Sequence, residues 1–511
     1  MKIFSTQIML FFLPVILLIS GCKKFLTSDS QDLQYADTYT KLDELLVGSG
    51  YEQHPAQDGA YDDMFSTYET QMYFPWLNVM DDDITEFVSG FDYNSYGRDT
   101  REEVFGFYTW QSNPFVSSSY VPGTDDMWPK VYTAINAVNI IAEKATQLND
   151  NPTQLRRIRG EALFLRAGYY FDMVNLYAGA YNKATAATDM GVPLKITDFV
   201  EDRFFSRSTI DSVYRQIVAD LAEAETDLTG VTQKNIYHAD INAVNLLQSR
   251  VFLYMQDWSD ASTAADKVIA RKGTLYNLAG YQHQTSFLSS ASPEAIFTQG
   301  GNAMIYNMLE GATVSFCPSP ELMNLYTSTD LRKNAFFELD EVGKYRYIKV
   351  YRSVAANILP TETYSDNFFL RTAEAYLNKA EAAAMMGNTV AANQAINTLR
   401  QARFLAKDFQ PVSYSGGQLV DFIRDERRRE LCFEGDRWFD LKRYAVNTQY
   451  PFSESIVHTY SKTDENVAPY IAATLTLAPN DPAYLIPIPA PAITFNQGAL
   501  KQNPTRPNRQ F

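Results

Sequence analysis

The chain has 511 residues, 46% of them hydrophobic and 20% charged, which is material for a large core. Its net charge of −16 argues against binding a phosphate backbone, so no nucleic-acid partner is expected. Aromatic residues make up 14%, enough to fill a core and leave flat rings over for binding surfaces.

The amino terminus reads as an address. Lys2 precedes an apolar run, Ile8 to Ile19, too short to span a bilayer and the right size for a signal-peptide core. It runs into Ile19–Ser20–Gly21–Cys22. Small residues before a Cys at this distance resemble a bacterial lipobox. That implies removal of residues 1–21 and lipidation of Cys22; an ordinary secretory signal with an incidental Cys is the other reading. No later stretch is long and apolar enough to cross a membrane.

Residues 27–60 are polar and mixed. The more apolar segment 61–84 ends in Asp81–Asp82–Asp83. A triple Asp raises a structural Ca²⁺, but the Gly and distal Glu of an EF-hand loop are missing. A solvated loop or helix start is expected there, and no metal or cofactor. Residues 88–124 read as a long irregular loop, punctuated by Gly90, Gly97, Gly106, Pro114, Pro122 and Gly123. Its many aromatics argue against disorder.

Helical periodicity follows. It predicts helices over 126–148 and 154–178, the second with apolar residues at three and four spacings from Leu155 to Leu176. Ser208 and Asp211 read as a capping box opening a helix to about Leu228. Helices over 239–256 and 258–271 come next. The segment 275–362 is mixed, with a strand over 345–351. Helices resume at 366–386, 388–405, 417–433 and 436–445, and the end of the chain is loop-like. Four antiparallel pairs result: 126–148 with 154–178, 208–228 with 239–256, 366–386 with 388–405, and 417–433 with 436–445. Small residues such as Ala264, Ala265 and Ala380 to Ala384 suit close helix crossings.

Within these helices, seven charged residues run unbroken from Arg424 to Glu430. Asp425 can meet Arg429, and Arg427 can meet Glu430, at helical neighbour spacings. Gly435 fits a helix C-terminal cap, and Asp436 can cap the next helix. Carboxylates beside arginines can do acid–base work, but a charged seam fixing helix packing has the same composition. No nucleophile arrangement accompanies the run. The four histidines, at 54, 238, 283 and 458, are scattered singly. There is no HExxH, GxSxG, P-loop or dinucleotide-binding glycine pattern. Carboxylate pairs for glycoside hydrolysis are set in space, and nothing in the sequence points to them. Cys317 and Cys432 show no CxxC spacing; Cys432, in an apolar triplet, reads as a buried thiol, and pairing of the two stays open.

Arg427 to Glu430, Glu434–Gly435–Asp436–Arg437 and Phe439–Asp440–Leu441–Lys442–Arg443 resemble the C-terminal fingerprint of the SusD/RagB family of outer-membrane nutrient-binding lipoproteins. Arg159–Gly160–Glu161–Ala162, Gly191–Val192–Pro193–Leu194, Leu370 to Leu377, and Gln502–Asn503–Pro504 add family-like stretches. The matches run from residue 22 to residue 504. The resemblance implies a mostly α fold, a tetratricopeptide-like helical-pair scaffold with long inserted loops and a few short strands. It implies one unit over 22–511, with an N-terminal part over about 22–330 and a C-terminal part over about 331–511, intertwined.

It also implies non-catalytic capture of a glycan at the cell surface, an outer-membrane lipid anchor, and a TonB-dependent SusC-like transporter as partner. Capture of peptides or another oligomeric nutrient, and a surface hydrolase, are the alternatives. The family's ligand residues sit in variable loops without a transferable motif, so none is carried over. Candidates come instead from aromatics beside polar groups in irregular segments. They are Trp76 with Asn78, then Tyr93, Tyr96 and Arg98, and Tyr306. Core packing is the other reading for each. Trp110 and Trp128 read as core.

Overall fold

The computed structural model describes residues 36–52, 73–74, 76–89, 101–282, 286–299, 314–350, 368–464 and 467–511. Cys22 and the expected signal peptide lie outside the described residues, as do Tyr93, Tyr96, Arg98 and Tyr306.

Nine helices longer than eight residues carry the fold among the described residues: α1 Met127–Gln147, α2 Pro152–Tyr177, α3 Ile210–Leu228, α4 Ile241–Tyr254, α5 Trp258–Lys272, α6 Thr372–Met385, α7 Thr389–Gln401, α8 Gly416–Leu431 and α9 Arg437–Ala445. Their starts follow local chemistry. Asn151 accepts from the Gln154 N–H, with Pro152 in the first turn of α2. Asp240 accepts from the N–H groups of Asn242 and Ala243 at α4. The cap of α3 is Thr209 rather than Ser208. Ser208 is already committed to backbone pairing, its N–H to the Val192 carbonyl and its carbonyl to the Gly191 N–H.

The helices stack in sequence, each packing on the next from α1 to α5. Then α5 packs on α6, which lies more than 100 residues further along and in turn packs on α7 and α8. Buried Ala264 and Ala265 of α5 and Ala380, Ala382 and Ala383 of α6 keep side chains small in these helices. Close approach is required at Gly160 too, where an added Cβ would meet Leu228 Cγ of α3 at 2.8 Å. Three of the four expected pairs form, and the fourth does not: α8 and α9 are not packed side by side. After Gly435, at φ +88°, the chain leaves the line of α8. Arg443 of α9 reaches Glu381 of α6 at 2.8 Å, and Lys442 reaches the carbonyls at the end of α2.

The strands are short and form four two-stranded antiparallel sheets among the described residues. β1 Ile84–Val88 pairs with β3 Val314–Pro318, β2 Ala295–Phe297 with β6 Leu370–Arg371, and β4 Phe337–Leu339 with β5 Tyr345–Tyr347. The strand expected over 345–351 is thus three residues long. The longest pair, β7 Ile456–Asp464 with β8 Val467–Leu477, is a hairpin that periodicity did not announce. β7 lies beside β1. No helix among the described residues is long and apolar enough to cross a membrane.

Candidate ligand clefts and the charged seam

The run from Arg424 to Glu430 is a buried seam. Glu430 accepts from three guanidinium groups: Arg371 at 2.6 Å, Arg403 at 2.8 Å and Arg332 at 3.0 Å. Glu294 meets Arg371 and Arg403 as well, and Glu434 meets Arg371 and Lys349. Burial alone would raise the Glu430 carboxyl, but Arg403 and Arg371 hold it well below the usual range. The expected Arg427–Glu430 contact is absent because Arg427 turns to Asp440 of α9, at 2.8 Å. Arg429 pairs with Glu426 at 2.6 Å in place of Asp425. Asp436 precedes α9 without capping it, its carboxylate 3.6 Å from Arg250. Every member of the Glu430 cluster is inaccessible to a substrate, which fits packing and not catalysis.

Asp81–Asp82–Asp83 is part of the same seam, and the expectation of a solvated loop is wrong. Asp81 and Asp83 are buried. Arg437 grips both oxygens of Asp82 at 2.7 Å, and Arg428 reaches Asp83 at 2.6 Å. The three carboxylates lie close enough together to hold a cation. Two of them already face guanidinium groups.

Two clefts flank the segment 101–124, which the short turn Phe105–Tyr108 anchors in the core. The first lies between this segment and the β7–β8 hairpin and has a volume of about 370 Å³. Tyr120, Tyr460, Tyr470 and Phe511 give it aromatic walls; Arg101, Glu102, Ser118, Ser461 and Lys462 give it polar ones. Arg101 is fixed from two sides: 2.8 Å from Glu86 of β1 and 2.8 Å from the Ser461 carbonyl of β7. Its guanidinium lies over the Tyr460 ring at 4.7 Å. Glu86 also accepts from the Ser461 N–H and hydroxyl, at 2.8 Å each. Tyr470 is 54% exposed, a free flat face at the rim.

The second cleft, about 380 Å³, is more apolar. Trp76, Phe107, Phe115, Val116, Val121 and Met127 line it, with Glu103, Ser117, Thr124 and Asp126 at its polar positions.

Residues 333–505 match the SusD family, and residues 26–253 match a family described as starch-binding, associating with the outer membrane. The chain belongs to the SusD family. Among SusD-like relatives, SusD-like protein P38 of Formosa agariphila is 27% identical over 381 residues, covering 62% of this chain and 71% of the relative. SusD-like protein P2 of the same organism is 24% identical over 467 residues, covering 81% and 85%. The fold matches a putative sugar binding protein from Bacteroides vulgatus with TM-score 0.69 at 22% identity, over 92% of this chain and 99% of that one. A SusD superfamily protein from Bacteroides thetaiotaomicron matches with TM-score 0.68 at 22% identity, over 91% and 100%.

In this SusD-family chain, Trp76 and Asn78 are both buried. The Trp76 ring stacks on Phe107 at 4.4 Å and 6°, so one face is spent on the core and an edge lines the second cleft. Trp110 and Trp128 are buried, as core residues should be. The residues that build the first cleft were not singled out in the sequence, since Arg101, Tyr120, Tyr460 and Tyr470 come together only in space. Cys317 and Cys432 are both free, and burial pushes each thiol up to about 11.

Proposed function

We propose that this chain is a non-catalytic surface lipoprotein that captures a glycan and passes it to a TonB-dependent SusC-like transporter in the outer membrane. The observation that carries glycan capture is the first cleft. Tyr470 and Tyr120 offer flat apolar faces to sugar rings, Glu102 and Lys462 offer partners for hydroxyls, and the buried Arg101–Glu86–Ser461 contacts hold the cleft wall in shape. The kinship supports the same ligand class, through a family described as starch-binding and a structural neighbour described as sugar binding. An open cleft of this kind gives affinities of about −4 to −8 kcal/mol, millimolar to micromolar, weak enough for release into a transporter. Anchoring at the outer membrane rests on Cys22 and the lipobox resemblance.

Calorimetry or array screening of the mature chain against polysaccharides and peptides tests the ligand. Polysaccharide binding that weakens in Tyr470→Ala is expected; peptide binding alone would move the reading to the peptide alternative. Turnover of any substrate by pure protein would sink non-catalytic capture. Acyl labelling should vanish in Cys22→Ala, and co-purification with a SusC-like transporter tests the partner.

A further inference from the structure

Arg506 is 4% exposed, and its Nε, Nη1 and Nη2 atoms are all buried without a hydrogen-bond partner among the described residues. The charges that act on it are Arg509, which repels it, and Asp481, which attracts it. Asp481 is already committed. It accepts from Arg509 Nη2 at 2.5 Å and from the Ala483 N–H at 2.8 Å. Two guanidinium groups thus share one carboxylate, and Arg506 has no hydrogen bond to it. Burial pushes the pKa of Arg506 down to about 9, and Arg509 adds to the fall, so the group is still a cation at neutral pH. A buried guanidinium with every N–H unmet is unfavourable, and water would satisfy all of them.

The segment that carries Arg506 is lightly held. From residue 500 to residue 511 the chain forms no helix, strand or backbone-to-backbone hydrogen bond among the described residues. Asn503 is the firm point. Its Nδ2 donates to the Tyr177 carbonyl at 2.9 Å and to the Ile486 carbonyl at 2.7 Å. Beyond it the fastenings gather at two residues. Arg509 donates from Nη1 to the Trp110 carbonyl at 2.7 Å, and its own carbonyl accepts from Gln111 at 3.1 Å. The Phe511 N–H donates to the Tyr120 hydroxyl at 3.2 Å, and Lys462 Nζ lies 3.5 Å from the Phe511 carbonyl. The Phe511 ring packs 5.8 Å from both Phe105 and Tyr460 and forms part of the first cleft's wall. Lifting this segment breaks no helix or sheet, returns Arg506 to water and takes Phe511 out of the wall.

We propose that residues 504–511 are a strap on the first cleft, hinged at Asn503 and poised to open by the unpaired guanidinium of Arg506. Closed, the strap sets Phe511 against Phe105 and Tyr460. Open, it widens the cleft on that side. Its effect on a bound ligand rests on the glycan-capture reading, whereas the opening itself does not.

The test is limited trypsin digestion of the native mature chain, with loss of Gln510–Phe511 followed by mass spectrometry. Trypsin cuts after Arg509 but not between Arg506 and Pro507, so replacing Arg506 leaves the cleaved bond intact. In the closed strap Asp481 and the Trp110 carbonyl hold the Arg509 side chain away from the protease, so cleavage reads the open population. Arg506→Met keeps an unbranched apolar side chain and removes the charge, and it should slow the cut about tenfold. Asp481→Asn removes the carboxylate that the two arginines share and should speed the cut about tenfold. Equal or faster cutting in Arg506→Met, or a variant that melts below wild type, would mean that the guanidinium holds the strap shut, and overturns the proposal. So does a wild-type bond that resists trypsin for as long as the core stays folded. Saturating polysaccharide should slow the wild-type cut, and an unchanged rate in the bound chain overturns the strap's role at the cleft. A chain that binds no glycan removes the capture reading and leaves the result for the free chain standing.

Discussion

The guanidinium of Arg371, at the end of β6, lies 2.6 Å from the carboxylate of Glu430 on α8, and neither side chain is more than 1% exposed. The pair ties a strand to a helix 59 residues away. Removing the charge of Glu430 would strand Arg371, Arg403 and Arg332 in the core. Glu430→Gln should therefore cost about 3–5 kcal/mol, read from urea unfolding. The pH dependence has a defined sign. Arg403 and Arg371 depress the folded-state pKa below the usual 4.5. The stabilisation is complete above 4.5 and is lost as pH falls through the folded value. Wild-type stability should drop on acidification below pH 4.5, and the variant should lose that part of the slope.

Arg437 and Arg428 occupy the carboxylates that a cation would need at Asp82 and Asp83. Calcium addition and EDTA should both leave the melting temperature unchanged. Asp82→Asn should lower stability by about 3 kcal/mol, because it leaves Arg437 with a neutral partner in a buried setting. A calcium-dependent rise in melting temperature would restore the metal reading.

The helices were legible because their evidence is local. The apolar spacing of α2 and the Gly435 break can be read from neighbours in the chain. The charged run could be read as a seam, but its partners Glu294, Arg332, Arg371 and Arg403 could not, since no spacing rule links residues so far apart. Local rules even misassigned Arg427, which finds Asp440 across the Gly435 turn and passes over Glu430 on its own helix. Trp76 shows the same limit. An aromatic beside an Asn in an irregular stretch suggests a binding surface, and only the fold brings Phe107 against it. The hairpin was missed although Ile456 to Tyr460 is rich in β-branched and aromatic residues.

Trp76 and Tyr470 should respond oppositely to alanine. Trp76 is 5% exposed and stacked, so Trp76→Ala should cost about 3–5 kcal/mol of stability. Tyr470 is 54% exposed, so Tyr470→Ala should change stability by no more than about 0.5 kcal/mol. Its loss should weaken glycan binding by about 1 kcal/mol, roughly fivefold. Thermal melts and calorimetry on both variants separate the two roles. A stable Trp76→Ala with abolished binding would instead make the second cleft the binding site.

Lys442 gives a second pH signature, at the alkaline end. Its amine is buried and donates to the carbonyls of Asn175 and Ala178, with no carboxylate beside it among the described residues. Burial lowers its pKa to about 7, against an ordinary 10.5. Between those values the unfolded chain binds the proton that the folded chain releases. The contribution of Lys442 is therefore complete above pH 10.5 and is lost as pH falls through about 7. Lys442→Met removes the titrating group, while leaving the two carbonyls at the end of α2 without their donor. The variant should be less stable than wild type at pH 9.5, and the gap should narrow as pH falls toward 7. Urea unfolding at pH 7, 8.5 and 9.5 measures it, and a gap that stays constant over that range would show that Lys442 stays charged in the fold.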